Sequence, residues 1–394
     1  MKSCPYRLDD YLSVGELIQA LERACRGKLR REEIIWARAN SLELCTSLFV
    51  KIQSGSYRSS NYYSRIIREP KKRIIYSLPI DDRIVHQFLT ERFLKPWFIN
   101  HLFIPNTFAC IKGRGSLAAA DRVEYALRSA HRQYGSSAYV VQLDISKFFP
   151  SINRDILWQL LDRNFRCKKL KALFHTIIFD IADKDITGLP IGNLTSQFFA
   201  NGYLSPFDQL VMYGDLRKKY RGIIDYIRYM DDMVVIVDSK ATARALDAEM
   251  REFIQTHLKL RLNAKSTYHP ISQGVDFCGY ITYHDKRFIR KRGKDTMKKI
   301  IRTYERDLIT DDKFVARARA CWGHMQHADA WNFAHKHLLP YTHLIDFRVK
   351  PEDIKRAARA RATARKHVKN QETWADMLQR LHPEWQNSDE EGGD

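Results

Sequence analysis

Arg228-Tyr229-Met230-Asp231-Asp232-Met233-Val234-Val235-Ile236-Val237 places two adjacent carboxylates just before an apolar, β-branched run. The preceding Gly222-Ile223-Ile224-Asp225-Tyr226-Ile227 is equally rich in strand formers. Together they predict strand, tight turn, strand: a β-hairpin with acidic residues at its tip. Alone, such a pair has an ordinary reading, because turns favour Asp and leave it solvated. A Tyr-x-Asp-Asp string arises by chance in roughly one chain in twenty of this length. The stretch therefore needs partners, and the rest of the chain supplies them.

Upstream lies Ala138-Tyr139-Val140-Val141-Gln142-Leu143-Asp144-Ile145-Ser146-Lys147-Phe148-Phe149-Pro150-Ser151-Ile152. An apolar strand ends in Asp144, and a helix begins after Asn153. A carboxylate at the end of a buried strand is costly unless it is paired or metal-bound. An Asp that merely capped the next helix would stand directly before it. Residues 146–150 intervene instead, which favours a functional Asp144.

Three further stretches carry cations or close backbone turns. Arg65-Ile66-Ile67-Arg68-Glu69-Pro70-Lys71-Lys72-Arg73-Ile74-Ile75-Tyr76 reads as two short strands around a basic, Pro-containing turn. Such a hairpin either binds phosphates or forms a solvated edge, and the two readings weigh equally. A helix follows from Leu78, with Asp81 and Asp82 near its positive end. Phe108-Ala109-Cys110-Ile111-Lys112-Gly113-Arg114-Gly115-Ser116 is a Gly- and cation-rich loop before a helix over 117–132. Its backbone N–H groups with Lys112 and Arg114 suit a phosphate backbone, although the spacing is not that of a Walker loop. Gly188-Leu189-Pro190-Ile191-Gly192-Asn193-Leu194-Thr195-Ser196-Gln197 reads as a turn-rich loop running into a helix from Phe198. Its small residues admit a flat substrate close to the backbone, or else it simply connects two elements.

The remaining segments frame these. Residues 9–56 are helical by their apolar period, with Ser13 and Glu16 spaced as a capping box. Residues 241–256 predict a helix. Strand alternation follows in Leu258-Lys259-Leu260-Arg261-Leu262-Asn263-Ala264-Lys265-Ser266 and again in 274–281. Residues 294–346 are helical, and Trp322, His324, Trp331 and Phe333 there read as core in preference to base-stacking platforms. Beyond 350, Lys355, Arg356, Arg359, Arg361, Arg365, Lys366 and Lys369 stand among alanines, a single-sign helix that favours nucleic acid. The last residues, 387–394, are acidic.

The whole chain has 394 residues, 44% of them hydrophobic, enough for two or three domains and a large core. Lys and Arg number 66 against 46 Asp and Glu, a net charge of +20, which points to a polyanionic partner, nucleic acid before membrane. No run is apolar enough to span a bilayer, and the N-terminus lacks the apolar core of a signal peptide. The seven Cys are scattered without a Cys-x-x-Cys pair, as reduced thiols are, rather than a disulfide frame or zinc site. The expected location is cytoplasmic.

Asp144, Asp231 and Asp232 in a basic chain suit two-metal phosphoryl transfer. Two clustered carboxylates repel by roughly 4 kcal/mol at 4 Å and an effective dielectric of 20, and divalent cations turn that repulsion into binding. The ordered set resembles the reverse transcriptases, specifically those of bacterial retroelements. The resemblance rests on Glu69-Pro70-Lys71-Lys72-Arg73-Ile74-Ile75, Leu143 to Ile152 as quoted, Ile191-Gly192-Asn193-Leu194-Thr195-Ser196-Gln197, Tyr229-Met230-Asp231-Asp232, Asn263-Ala264-Lys265-Ser266 and Phe277-Cys278-Gly279-Tyr280. These occur in family order across residues 60–335. The Ile-Gly-x-x-x-Ser-Gln form, in place of the commoner Gln-Gly-x-x-x-Ser-Pro, is similar to the enzymes of diversity-generating retroelements. So is the segment from Trp322-Gly323-His324 to Trp331-Asn332.

The resemblance implies an α+β fold, a right-hand polymerase of fingers (61–137), palm (138–283) and helical thumb (284–348). A helical N-terminal segment (1–60) and a basic helical C-terminal extension with an acidic tail (349–394) complete it. It implies Asp144, Asp231 and Asp232 as catalytic, holding two Mg²⁺ ions, or Mn²⁺, with the Ile145 carbonyl as a further ligand. Lys71, Arg73, Phe149, Ile191 and Lys265 would line the dNTP. Arg73 would neutralise the triphosphate, the Phe149 ring would exclude a ribose 2′-hydroxyl, and Lys265 would protonate pyrophosphate. Lys112, Arg114, Ser196, Gln197, Tyr229, Met230, Phe277, Gly279 and Tyr280 would contact template and primer. Ile191, standing where Gln is usual, implies low fidelity. The implied partners are a template RNA and its cDNA or primer, with a small basic helical accessory protein or a structured non-coding RNA, and no membrane. The alternatives are a defence-associated reverse transcriptase, which the basic extension keeps open, and a non-catalytic, maturase-like RNA-binding protein, which the complete Asp set disfavours.

Overall fold

The computed structural model describes residues 3–68, 73–181, 186–341 and 343–344. The turn bearing Lys71 and Lys72 and the basic extension beyond 349 lie outside the described residues. The chain divides into two compact units, residues 1–293 with 327–329, and residues 294–326 with 330–394.

The first unit opens with helices Val14–Cys25, Glu32–Ala39 and Ser41–Gln53, where the spacing of apolar residues predicts them. Ser13 caps the first, its hydroxyl accepting from the Glu16 N–H at 3.2 Å. Strands β1 (Tyr63–Ile67) and β2 (Arg73–Ser77) then pair antiparallel as an exposed two-stranded ribbon. The central sheet holds β3 (Tyr139–Asp144), β4 (Ile223–Tyr229), β5 (Asp232–Val237) and β6 (Thr267–Pro270) in the order β4-β5-β3-β6, every pair antiparallel. A third sheet joins β7 (Val275–Phe277), β8 (Tyr280–Thr282) and β9 (Arg287–Ile289).

Side chains alternate across a strand, so the central sheet feeds two cores. Val141, Leu143, Met233, Val235 and Val237 join one core with Phe199 of helix Leu194–Tyr203 and Leu246 and Met250 of helix Lys240–Thr256. Val140, Val234, Ile236 and Ile227 join the other with Val123 and Leu127 of helix Ser116–Tyr134 and with Phe277. Cover on both faces explains why β5 reads as an unbroken apolar run rather than an alternating one. Asp144 and Asp232, at even spacing from Val140 and Val234, belong to the second face.

Three local expectations need correction. The 258–266 stretch is not a strand: Lys259 sits at φ 52°, Leu258 and Leu260 both drop into the core, and only an isolated bridge, Ile145 with Leu262, remains. The strand follows it, at β6. The helix expected from Phe198 starts at Leu194, because Thr195 and Ser196 are buried, Thr195 against His86 at 2.7 Å, rather than solvated in a loop. The gap after Asp144 contains a short helix, Phe148–Ser151, entered through Lys147 at φ 48°.

The second unit contains most of helix Lys291–Glu305 and the helices Asp311–Met325 and Trp331–Leu338. Met297, Ile301, Phe314, Ala318 and Met325 are buried, and Tyr304 stacks on Phe314 with ring centroids 4.2 Å apart. Among the described residues no helix is long and apolar enough to cross a membrane.

Phe199 is fully buried and meets the Phe174 ring edge-on at 6.0 Å. Phe199→Ala is expected to lower the unfolding free energy by about 3–5 kcal/mol, read by urea denaturation. A loss below 1 kcal/mol would place this ring outside the packed core.

Candidate active site

β3 and β5 pair so that Asp144 stands opposite Asp232. The backbone of Asp144 faces the other way: its N–H donates to Ser266 Oγ (3.0 Å) and its carbonyl accepts from the Asn263 N–H (2.7 Å). The Asp144–Asp232 pair is therefore the non-hydrogen-bonded kind, with Cα atoms about 4.5 Å apart and side chains rising from one face. Tyr229 pairs with Asp232, which leaves Met230-Asp231 as a two-residue turn. Met230 takes φ 56°, the left-handed conformation that primed hairpin turns need at the first central residue.

Arg228 holds that turn from behind. Its guanidinium is fully buried and donates to both oxygens of Asp208, to Asn201 Oδ1 at 2.9 Å and to the Met230 carbonyl at 2.9 Å. Tyr226 donates its hydroxyl to the same Asp208 at 2.7 Å. The Arg228 backbone is gripped as well, its N–H donating to the Asn106 carbonyl and its carbonyl accepting from the Phe108 N–H, both at 3.0 Å.

Burial raises the Asp231 carboxyl above its ordinary range, and the Asp144 charge adds to this while Arg73 and Arg228 oppose it. Asp232 is pushed up to about 7, first by burial, then by Asp144 and Asp231, with Arg290 opposing. The fold thus gathers three like charges and leaves them poorly compensated. Ile145 adds a neutral donor nearby. The bonds of its bridge to Leu262 run from Ser146 N–H to the Arg261 carbonyl and from Asn263 N–H to the Asp144 carbonyl, so this bridge does not engage the Ile145 carbonyl.

Among the described residues no group of three or more His, Cys, Asp or Glu forms a ready-made metal cage. The donor set still fits a hard divalent ion such as Mg²⁺, which takes one or two carboxylates and completes its shell with water and phosphate oxygens. Asp144, Asp231 and Asp232 would hold it, beside the Ile145 carbonyl.

Around this centre, Arg73 is exposed at the start of β2 and near enough for its charge to act on Asp231. Phe149 is half-buried in the short helix after Asp144, edge-on to Phe148 at 5.7 Å. Ile191 is half-buried, and its carbonyl accepts from the Tyr76 N–H of β2 at 2.7 Å. Lys265 is exposed on the turn whose Asn263 and Ser266 clamp Asp144. Phe277 and Tyr280 are buried and oppose each other, leaving Cys278 (φ 50°) and Gly279 (φ 90°) as the presented turn. That turn lies beside the hairpin, where Cys278 and Asp232 influence each other electrostatically. Tyr229 is half-buried, and burial first, then Cys278 and Cys110, raise its hydroxyl pKa.

Ser196 is buried and Gln197 half-buried, both within the helix rather than on a loop. Arg114 donates to the carbonyls of Ile104 (3.3 Å) and Thr107 (2.8 Å), so part of its guanidinium shapes its own loop, while Lys112 is exposed. Lys71 lies outside the described residues. Sequence reasoning passed over three residues. Ser266 fixes the Asp144 backbone, and its place in the Asn263-Ala264-Lys265-Ser266 string was the available signal. Arg290 pairs with Asp276 and opposes the raised Asp232, but one Arg in so basic a chain carries no signal of its own. Asp208 is paired only through the tertiary fold.

A strand-end carboxylate set against a carboxylate-bearing hairpin on one sheet face suits a metal-dependent phosphoryl-transfer site. Residues 67–282, more than half of the chain, match the family described as reverse transcriptase (RNA-dependent DNA polymerase), and the chain belongs to that family. It is similar to Protein YkfC of Escherichia coli (strain K12), 26% identical over 198 residues that cover 42% of this chain and 50% of that protein. The chain thus spans half the length of the curated relative it matches. Among solved structures, telomerase from Candida albicans in complex with a TWJ fragment of telomeric RNA aligns with a TM-score of 0.47 at 10% identity, over 84% of this chain and 63% of that chain.

Two outcomes follow from the site. Removing one member of the buried pair, as in Asp208→Leu, should cost about 3–5 kcal/mol in urea denaturation, while the double replacement with Arg228→Leu should recover most of it. Equal losses in the single and double variants would deny the pairing. The second outcome concerns pH. Folded Asp232 keeps its proton to about 7, whereas an unfolded carboxyl releases it near 3.8. The folded state holds the extra proton between these values, so stability present at low pH is lost as pH rises toward 7. In a chelator, Asp232→Asn should match wild type near pH 4 and exceed it in stability above pH 7. A difference unchanged across that range would contradict the raised carboxyl.

Proposed function

We propose that the chain is an RNA-directed DNA polymerase that copies a template RNA into cDNA. The observation that carries this is Asp144 set opposite Asp232 on one sheet face, with Asp231 on the adjoining turn, inside the family-matched residues. Asp144 and Asp231, aided by Asp232 and the Ile145 carbonyl, would hold two divalent ions, Mg²⁺ by ligand hardness. When bound, such ions lower the pKa of the primer 3′-hydroxyl and neutralise charge on the leaving pyrophosphate.

The chain's own groups do the rest. Arg73 meets the triphosphate, with Lys71 as a further cation. Phe149 excludes a ribose 2′-hydroxyl and so favours dNTPs. Lys265 gives a proton to pyrophosphate. The Cys278-Gly279 turn, set by buried Phe277 and Tyr280, holds the primer end beside Tyr229 and Met230. Lys112, Arg114 and the helix bearing Ser196 and Gln197 steady the template. A net charge of +20 supports a nucleic-acid partner.

Within the family, we assign the chain to the diversity-generating type. Ile191 supports this, because an aliphatic side chain there offers no hydrogen bond to nucleotide or template, and a polymerase built so discriminates poorly. The basic stretch after 350 favours a second reading, a defence-associated enzyme with its own structured RNA.

Primer extension on an RNA template with Mg²⁺ and dNTPs, followed by sequencing of the products, tests the proposal. Wild type should make DNA, and Asp144→Ala or Asp231→Ala should lower the rate by about 10²–10³-fold or more, as loss of charge stabilisation does. Errors concentrated at template adenines support the diversity-generating assignment, and accurate or repetitive products support the defence reading. DNA synthesis retained in both Asp variants would overturn the catalytic assignment.

A further inference from the structure

The loop 186–192 meets the backbone at Phe149 and Pro150 and at Tyr76 of β2, and it does so through glycines. At Gly188 a Cβ would lie 2.2 Å from the Phe149 carbonyl oxygen and 2.7 Å from the Pro150 carbonyl carbon and oxygen, all backbone atoms that no rotamer change can move aside. The loop also bonds that backbone directly. The Leu189 N–H donates to the Phe149 carbonyl at 2.9 Å, and Thr187 Oγ1 donates to the Pro150 carbonyl at 3.0 Å. Arg154 locks the loop in turn, donating from Nε to the Gly188 carbonyl at 3.0 Å and from Nη2 to the Ile186 carbonyl. Arg154 itself starts a helix capped by Asn153, whose side chain accepts from the Asp155 and Ile156 N–H groups. Leu189 and Ile186 are buried, so the loop is seated rather than draped.

The other end of the loop repeats the device. The Ile191 carbonyl accepts from Tyr76 N–H, and a Cβ at Gly192 (φ +131°) would lie 2.1 Å from the Tyr76 carbonyl oxygen. One loop therefore fixes the backbone beneath Phe149 and abuts the strand that begins with Arg73.

We propose that Gly188, with Thr187 and Arg154, is a positioning device for the Phe149 ring, and that sugar selectivity is set through it. This rests on the reading of Phe149 as the group that excludes the 2′-hydroxyl. A Cβ at 188 forces one side of this contact to give; two Arg154 bonds and the buried Ile186 and Leu189 hold the loop, so the shift falls on the Phe149 carbonyl and on the ring carried by the same short helix. An excluding ring acts through contact, so a displacement on the order of an ångström relaxes discrimination without touching the metal-holding carboxylates.

The test measures kcat/KM for a dNTP and the matching rNTP in the full chain, for wild type, Gly188→Ala, Phe149→Ala and the double variant. Wild type should prefer the dNTP, and Phe149→Ala should largely abolish the preference. Gly188→Ala should lower the preference by about tenfold or more, the effect of a small steric change in a pocket. In the Phe149→Ala background it should change the preference no further, because the ring it displaces is gone. A purely structural role would lower both rates together and leave their ratio unchanged, which would overturn the inference. Thr187→Val, which keeps shape and removes only the donor to Pro150, carries the same test should Gly188→Ala not fold. Its expected loss of preference is about threefold, by the weaker perturbation of one hydrogen bond. If wild type polymerises but Phe149→Ala keeps full preference, the reading of Phe149 fails and this inference with it. If wild type makes no DNA, the polymerase reading itself fails.

Discussion

Arg228 and Asp208 form an ion pair with no exposure at either side chain, on the strand immediately behind the acidic turn. Such a pair is a weak source of net stability, because desolvating both charges offsets most of their attraction. Its value here is geometric. One guanidinium, with donors fixed in a plane, reaches both Asp208 oxygens, the Asn201 side chain and the Met230 carbonyl. It thereby ties β4, two helices and the turn into one rigid piece. Asn106 extends the network, donating to Asp225 Oδ1 at 2.8 Å and to the Tyr226 carbonyl at 2.9 Å. The position of Asp231 thus depends on groups that never approach substrate.

In front of this network the fold accepts an electrostatic cost. Asp144 and Asp232 share one face with Asp231 on the adjoining turn, and burial together with the Asp144 charge raises the Asp231 and Asp232 carboxyls, with only partial relief from Arg73, Arg228 and Arg290. Local consistency usually holds across a protein, and its violations gather at functional sites. Ser266 shows that the placement is structurally supported: its hydroxyl and the Asn263 N–H hold the Asp144 backbone on the edge away from β5, which fixes the strand from which the carboxylate rises. Glycine plays the complementary part in the 186–192 loop, where missing side chains let backbone meet backbone beneath Phe149 and beside β2.

Much of this was legible in the chain before any coordinates. The hairpin at 223–237, the strand ending at Asp144, the ribbon around Arg73, the capped helix after Ser13 and the helix over 241–256 all announce themselves locally, through apolar runs and periods, turn residues and the Ser13 cap. The misreadings share a cause. Thr195 and Ser196 look like loop residues because they are small and polar, yet they are buried in a helix. The 258–266 stretch alternates like a strand, but Leu258 and Leu260 answer to the core while Lys259 turns the backbone left-handed. Composition describes a residue's preferences, and packing overrides them where a neighbour supplies the missing bond or contact.

The amino-acid sequence by itself determined which residues carry charge, where the two strands that bear the carboxylates form and in what order the motifs run, because hydrophobic period and turn chemistry act over a few residues. It therefore sufficed to nominate Asp144, Asp231 and Asp232. Only the tertiary structure decided that Asp144 faces Asp232 in register, that Arg228 finds Asp208, that Arg114 is partly engaged by its own loop, and that Gly188 lies against Phe149. Apart from the Arg114 bonds within its own loop, those are contacts between segments well separated in the chain. They are set by how the two cores fill on either side of the central sheet, and no local pattern encodes that.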